Sequence, residues 1–141
     1  MDRLLEFFGN HPGLVLAFFG ILGALAWTVF QGSARGVTRL SPGDATRLIN
    51  SEDAVVLDVR PDSEFRDGHI INAINVPESE LKDRLDKLAK YRDRPVIATC
   101  RTGSTSTRAA SLLKANGFDK VYNLGGGIVA WEGASLPLTK G

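Results

Sequence analysis

The sequence predicts an α/β domain built on a largely parallel sheet, preceded by a separate apolar helix. Three observations predict this. Ala54–Val59 is a near-continuous apolar run, as in a strand covered on both faces. Strand-like runs alternate with stretches of helical spacing, which is the pattern of a parallel sheet with crossover helices. Composition is also uneven. No Asp, Glu, Lys or Arg occurs from Phe7 to Ala34, and all charge except Asp2, Arg3 and Glu6 lies from Arg35 onward. Residues 1–34 are therefore expected to form an N-terminal anchor with a short linker, and residues 35–141 the folded domain.

In the N-terminal segment only Thr28 is polar between Gly13 and Phe30. Roughly 18–20 apolar residues at about 1.5 Å each come close to the about 30 Å hydrocarbon core of a bilayer. Apolar residues occur all round, so a transmembrane helix at about 13–31 is expected rather than a surface helix. Pro12 suits a helix entry, and Trp27 and Phe30 suit an interfacial end. A cleaved signal peptide fits less well: Arg3 is offset by Asp2 and Glu6, and the run is long, although Ala24-Leu25-Ala26 mimics a cleavage site. A buried core helix fits least, for want of a polar face. Arg3 alone precedes the span, whereas Arg35, Arg39 and Arg47 follow it. The positive-inside rule then predicts a single-pass protein of the cell (inner) membrane with its C-terminal domain in the cytoplasm. Gly13, Ala17, Gly20 and Ala24 offer a small-residue seam for a homodimer in the bilayer, though small residues are common in membrane helices in any case.

The chain of 141 residues is long enough for one domain with its own core, and its net charge is +1. No basic cluster interleaves with aromatics, so nucleic acid is not an expected partner. The single cysteine excludes an intrachain disulfide and any multi-cysteine metal site, and a free thiol suits a reducing compartment.

Within the domain, Gln31–Gly36 reads as a linker and Val37–Leu40 as a brief strand. Ser41, Pro42 and Asp44 then supply N-cap, N1 and N3 of a helix running to about Asn50. Arg60-Pro61 ends the Ala54–Val59 strand. Ser63–Arg66 is a short helical turn, Asp67-Gly68 a turn, and Ala73–Val76 a short strand. Glu78–Tyr91 reads as one helix with Leu81, Leu85 and Leu88 on its apolar face and its charges solvated. Pro95 precedes the strand Val96–Thr99. A helix through Arg108–Lys114 follows and stops near Asn116-Gly117. Val121–Leu124 is the final strand, and Gly125-Gly126-Gly127 leads into a short helix at Ile128–Glu132.

Cys100 stands where the Val96–Thr99 strand meets a Gly/Ser/Thr turn and a helix N-terminus. Ligand sites of parallel sheets form beyond the carboxyl ends of strands. Loop N–H groups, the helix dipole and Arg101 all favour a thiolate there. The competing reading is a buried, inert cysteine.

Several motifs, in order, resemble the rhodanese (thiosulfate:cyanide sulfurtransferase) homology domain. They are Leu57-Asp58-Val59-Arg60, Glu64-Phe65, Gly68-His69-Ile70, Ala73-Ile74-Asn75-Val76-Pro77, Cys100-Arg101-Thr102-Gly103, and Gly125-Gly126-Gly127 with Trp131. The match spans about Val37–Pro137, and with the apolar segment the chain resembles single-domain, membrane-anchored bacterial members of the family. The resemblance implies a parallel five-stranded sheet flanked by helices and a sulfurtransferase without metal or organic cofactor. It implies Cys100 as the nucleophile that carries a persulfide, and Arg101, Thr102, Gly103, Ser104, Thr105 and Ser106 as the loop that cradles the substrate sulfur. Asp58 and Arg60 would support that loop. The partners it implies are a small-molecule or protein sulfur donor and acceptor. Many active members carry Arg five positions after the cysteine, where this chain has Thr105. Recognition of dianionic thiosulfate is then left to Arg101, with Arg108 the next guanidinium along.

Other residues invite roles that fit less well. His69 suggests a base, yet the family reaction needs none. The Gly125–Gly127 run lacks the Lys-Ser/Thr of a phosphate loop and reads as a tight turn. Trp131 reads as core. A cysteine phosphatase needs Cys-x5-Arg, and position 106 is Ser. The alternative to an enzyme is a membrane-tethered interaction module that keeps the fold, for which Thr105 is the motive.

Overall fold

A computed structural model describes residues 1–34 and 37–141, with the side chains of residues 29–34 left undescribed. The chain divides into two compact units, Met1–Arg35 and Gly36–Gly141.

The first unit is two helices, α1 (Asp2–Asn10) and α2 (Pro12–Ala34). His11 leaves helical geometry (φ −131°, ψ 57°) and the proline after it restricts that residue, so one helix ends and another begins. The sequence reading missed α1. Leu4, Leu5, Phe7 and Phe8 cover one arc of it, while Asp2, Arg3, Glu6 and Asn10 cover the other. Among the described residues no single helix is long and apolar enough to cross a membrane. Only Asp2–Asn10 and Pro12–Thr28 taken together are, with a 93° bend between them. The helices described therefore do not support the single span expected at about 13–31. The expected linker at 31–36 is helical to Ala34, since no proline interrupts it, and its last residues, 35 and 36, lie outside the described residues.

The second unit is a five-stranded, wholly parallel sheet in the order β1-β5-β4-β2-β3. Its strands are β1 (Thr38–Leu40), β2 (Val55–Asp58), β3 (Ile74–Asn75), β4 (Val96–Thr99) and β5 (Val121–Leu124). The connecting helices are α3 (Pro42–Glu52), α4 (Asp62–Asp67), α5 (Glu78–Leu81), α6 (Leu85–Leu88), α7 (Ser104–Ala115) and α8 (Gly127–Gly133). At the start of α3 the Ser41 hydroxyl accepts the Asp44 N–H, with Pro42 in the first turn.

Side chains alternate across the sheet. Val96, Ala98 and Cys100 face a core shared with Leu57, Leu81, Leu88, Leu113 and Phe118. Ile97 faces the opposite core, with Val56, Leu124, Ile128 and Trp131. β4 is the middle strand and is buried on both faces, so its C-terminal end opens between two covered layers.

The single helix expected over Glu78–Tyr91 is instead four short pieces: α5, a 3-10 turn at Lys82–Arg84, α6, and a second 3-10 turn at Ala89–Tyr91. Arg84 breaks the helical run at φ −107°, ψ 8°. The backbone bends so that Leu81 and Leu88 both reach the core.

Leu113 is fully buried between α7 and the sheet. Leu113→Ala is expected to cost about 2–5 kcal/mol. Denaturant titration of the full chain checks this through a lowered midpoint with an unchanged slope.

Candidate active site

Cys100 follows the last residue of β4 and is 4% exposed. Its Sγ accepts the Gly103 N–H at 3.0 Å and the Ser106 N–H at 3.4 Å. Gly103 makes this possible: it is the N-cap of α7 at φ +93°, a left-handed conformation that turns the chain back within three residues. The helix opens earlier than its apolar spacing indicates, at Ser104 rather than near Arg108. The expected loop 101–106 is thus a three-residue turn followed by the first turn of α7.

Two opposed influences set the thiol's acidity. Burial is the larger single one and pushes the Cys100 pKa up. The Ser106 hydroxyl and the backbone amides of Ser106, Thr102 and Gly103 together outweigh it, so the pKa lies below the ordinary thiol value. The hydroxyl has only one proton, which it donates to Asn123 Oδ1, so the backbone amides are the standing donors to sulfur.

A second turn presses against the first. Gly126 and Gly127, at φ +74° and +58°, bring α8 under Cys100, where Ile128 N–H donates to Cys100 O at 2.9 Å and Val129 N–H to Arg101 O at 3.1 Å. A Cβ on Gly127 would lie 2.3 Å from Cys100 O, which excludes any side chain there. This is the tight turn that the Gly125–Gly127 run suggested.

Cys100 lies in the wall of an open cleft of about 480 Å³. Arg60, Arg101, Thr102 and Thr105 line it alongside the sulfur-bearing residue. Gly103 and Ser104 line a separate hollow of about 420 Å³, and Ser106 is fully buried. Asp58 does not reach the cleft. It is fully buried and paired with Arg60, whose Nη2 lies 2.8 Å from Asp58 Oδ2 and donates to Gly68 O at 2.7 Å. The pair fixes the turn after β2 and holds the aliphatic part of Arg60 in the cleft wall.

Sequence reasoning missed the rest of that wall. Asp62 and Glu64 from α4 and Glu78 and Glu80 from α5 line the cleft. Asp62 pairs with Arg66 at 2.8 Å, Glu80 with Arg84 at 3.0 Å and Glu78 with Arg108 at 3.2 Å. Arg108 therefore serves a rim carboxylate and is not part of the lining. Asn123 was missed as well. The available signal was an amide side chain inside the buried run Val121–Leu124.

His69 is remote from this chemistry. Its Nδ1 lies 2.7 Å from Phe65 O, its ring stacks on Phe65, and its backbone pairs with Thr139. Trp131 is core, with Nε1–H donating to Pro137 O at 3.1 Å.

Comparison with known proteins places this geometry. The family model described as Rhodanese-like domain matches residues 41–134. The uncharacterized protein YibN of Escherichia coli (strain K12) is 39% identical over 142 residues, covering 100% of this chain and 99% of that protein. A sulfurtransferase of Allochromatium vinosum is 36% identical over 92 residues, covering 65% of this chain and 84% of its own. Among solved structures, a rhodanese-related protein from Thermoplasma volcanium superposes with a TM-score of 0.66 at 30% identity, covering 72% of this chain and 97% of that one.

The amide cradle makes a direct prediction about pH. Alkylation of Cys100 by a small neutral reagent is expected to reach half its maximal rate at lower pH than a free thiol does, since the depressed pKa leaves more thiolate at neutrality. A curve lying in the ordinary thiol range would contradict the cradle's effect, and Cys100→Ser should abolish labelling.

Proposed function

This chain belongs to the rhodanese-like domain family, and on that premise we propose that it is a sulfurtransferase working through a persulfide on Cys100. The observation that carries the reading is the lone cysteine's Sγ, set in an open cleft with two backbone N–H groups on it. The Cys100 thiolate attacks the terminal sulfane sulfur of a donor. The new S–S bond forms as the donor's own bond to that sulfur breaks, and the electron pair leaves with the donor remnant. An acceptor thiolate or other nucleophile then takes the outer sulfur and returns Cys100 to the thiolate. One sulfur atom moves and the protein undergoes no net redox change. In the thiolate state the negative charge lies on a sulfur that amides already in place face, which stabilises it without reorganisation. No step calls on a metal or an organic cofactor.

Thr105 and the rim shape the choice of donor. Thr105 lines the cleft at the position where many active members of the family carry Arg, and four carboxylates line it too. Arg101 is the cation that remains for an anionic donor. Thiosulfate is accordingly a poor donor in this reading, and a less charged sulfane sulfur on a small molecule or a protein is the better one.

The reading includes attachment to a membrane. α2 is apolar throughout the residues whose side chains are described, apart from Thr28, and α1 carries an apolar arc opposite a charged one. A helix lying on a bilayer surface beside one that enters it would use these two patterns. The excess of arginine after the apolar segment favours a cytoplasmic domain at the inner membrane, and the small-residue seam is the surface through which two copies would pair.

Two measurements test the proposal. Incubation with a panel of sulfane-sulfur donors should add the mass of one sulfur atom to the intact chain and none to Cys100→Ser, while Thr105→Arg should raise turnover with thiosulfate relative to the other donors. No adduct with any donor would sink the enzyme reading and favour an interaction module whose cellular role survives Cys100→Ala. Separately, the full chain should stay with membranes through alkaline carbonate extraction; complete release would remove the anchor from the proposal.

A further inference from the structure

Asn123 sits in β5, 6% exposed, and makes no bond to the sulfur. Every polar atom of its amide is used. Nδ2 donates to Gly103 O at 3.1 Å and to Thr107 Oγ1 at 2.9 Å, while Oδ1 accepts the Ser106 hydroxyl. Thr107 Oγ1 in turn donates to Gly103 O at 2.8 Å. The last bond fixes the sense of the network. A carbonyl oxygen can only accept, so the Thr107 proton points at Gly103 and its oxygen is free to accept from Asn123. The amide therefore faces one way only, and the Ser106 proton goes to Oδ1 rather than to sulfur.

Gly103 and Ser106 are also the two residues whose N–H groups lie on Cys100 Sγ. We infer that Asn123 is the positioning residue of this site: from the neighbouring strand, one buried amide holds the two residues that aim their backbone donors at the sulfur. An amide is the side chain this place requires. Its two donors meet two oxygens and its one acceptor meets a hydroxyl, whereas a carboxylate would set an oxygen against Gly103 O. The N–H to sulfur contacts have no other side-chain brace from β5. The inference rests on Cys100 acting as a thiolate. Its readout needs no sulfur donor, so its failure and that of the sulfurtransferase reading can be told apart.

The charged groups around the sulfur are Arg101 from the turn, Arg60 just after β2 with its buried partner Asp58 behind it, Asp62 and Glu64 from α4, and Glu80 and Glu78 from α5, the last paired with Arg108 of α7. Neither the glycine turn beneath Cys100 nor the side chain of Asn123 adds a titratable group. These charges stay in place when Asn123 is changed, but the Ser106 hydroxyl, released from Oδ1, is then free to turn its proton to Sγ and lower the thiol's pKa, so the comparison is made in a Ser106→Ala background, where a shift in the titration reports on the amide donors.

The test is the rate of Cys100 alkylation against pH in the full chain. Against Ser106→Ala alone, Ser106→Ala combined with Asn123→Ala is expected to move the curve to higher pH and to slow the reaction at neutral pH by about threefold to tenfold, the size expected when a hydrogen bond to an anion is weakened. The maximal rate at high pH should be retained. Thr107→Val, at an exposed position of α7, removes the partner of both Asn123 and Gly103 and should shift the curve the same way by less. A role confined to stability would lower the melting temperature and leave both curves where they are, and that result overturns the proposal. If Asn123→Ala does not fold, the nearly isosteric Asn123→Leu in the same Ser106→Ala background decides: a shift upholds the inference and an unmoved curve ends it.

Discussion

A thiolate that is 4% exposed must be solvated by the protein, because little water reaches it. Backbone N–H groups are the donors available at that depth, and aiming them at one atom constrains much of the surrounding fold. The chain must reverse within three residues of the strand end, which requires the left-handed Gly103. A helix must begin immediately, so that its unpaired first N–H groups point at the sulfur, and α7 does begin at Ser104. The carbonyls of Cys100 and Arg101 then face away from the sulfur and need donors of their own. The Gly125–Gly127 turn supplies them through Ile128 and Val129, approaching so closely that Gly127 tolerates no Cβ. The two glycine turns are thus two halves of one device, one serving the sulfur and the other the backbone oxygens displaced in serving it.

The parallel sheet follows from the same constraint. Placing β4 in the middle buries both its faces, and its first free backbone groups appear at its carboxyl end. β5 lies beside it and ends one residue before the second glycine turn, which explains how an amide on β5 can brace a turn that follows β4.

Sequence and structure agree where one residue type has one physical use. Ser41-Pro42 announced a helix start, the apolar runs announced buried strands, and the cysteine at a strand–turn–helix junction announced the cradle. They part where tertiary packing decides. The periodicity of Leu81, Leu85 and Leu88 is helical, but the segment folds as short pieces broken at Arg84, with all three leucines still on the core. α1 escaped notice because nine residues with three charges look like a polar leader until the helix sorts them onto one arc. Asn123 carried only a faint signal, an amide within an apolar strand. Its meaning depends on residues 16 to 20 positions earlier in the chain, and only folding brings them together. The rim carboxylates went unread, since sequence spacing does not say which side of a short helix meets a cleft.

The rim bears directly on how the cradle and the cleft divide their work. The cradle acts on charge at the sulfur through N–H groups whose positions do not depend on the identity of donor or acceptor. The cleft acts on whatever brings the sulfur in. Arg66, Arg84 and Arg108 are drawn outward by Asp62, Glu80 and Glu78, and Arg60 is held by Asp58, so each of these guanidinium groups already has a carboxylate partner. Arg101 is left as the wall's cation for an incoming anion, and Thr105 adds a hydroxyl where a clamp would need a second charge. In the proposed reading a dianion entering this cleft would exchange its hydration for one guanidinium without a carboxylate partner among those that line it, whereas a low-charge persulfide or polysulfide would give up less. In the proposed reading the reactivity of Cys100 and its choice of partner therefore belong to different residues and would change independently: the first would depend on Gly103, Ser106 and Asn123, the second on Arg101, Thr105 and the acidic ends of α4 and α5.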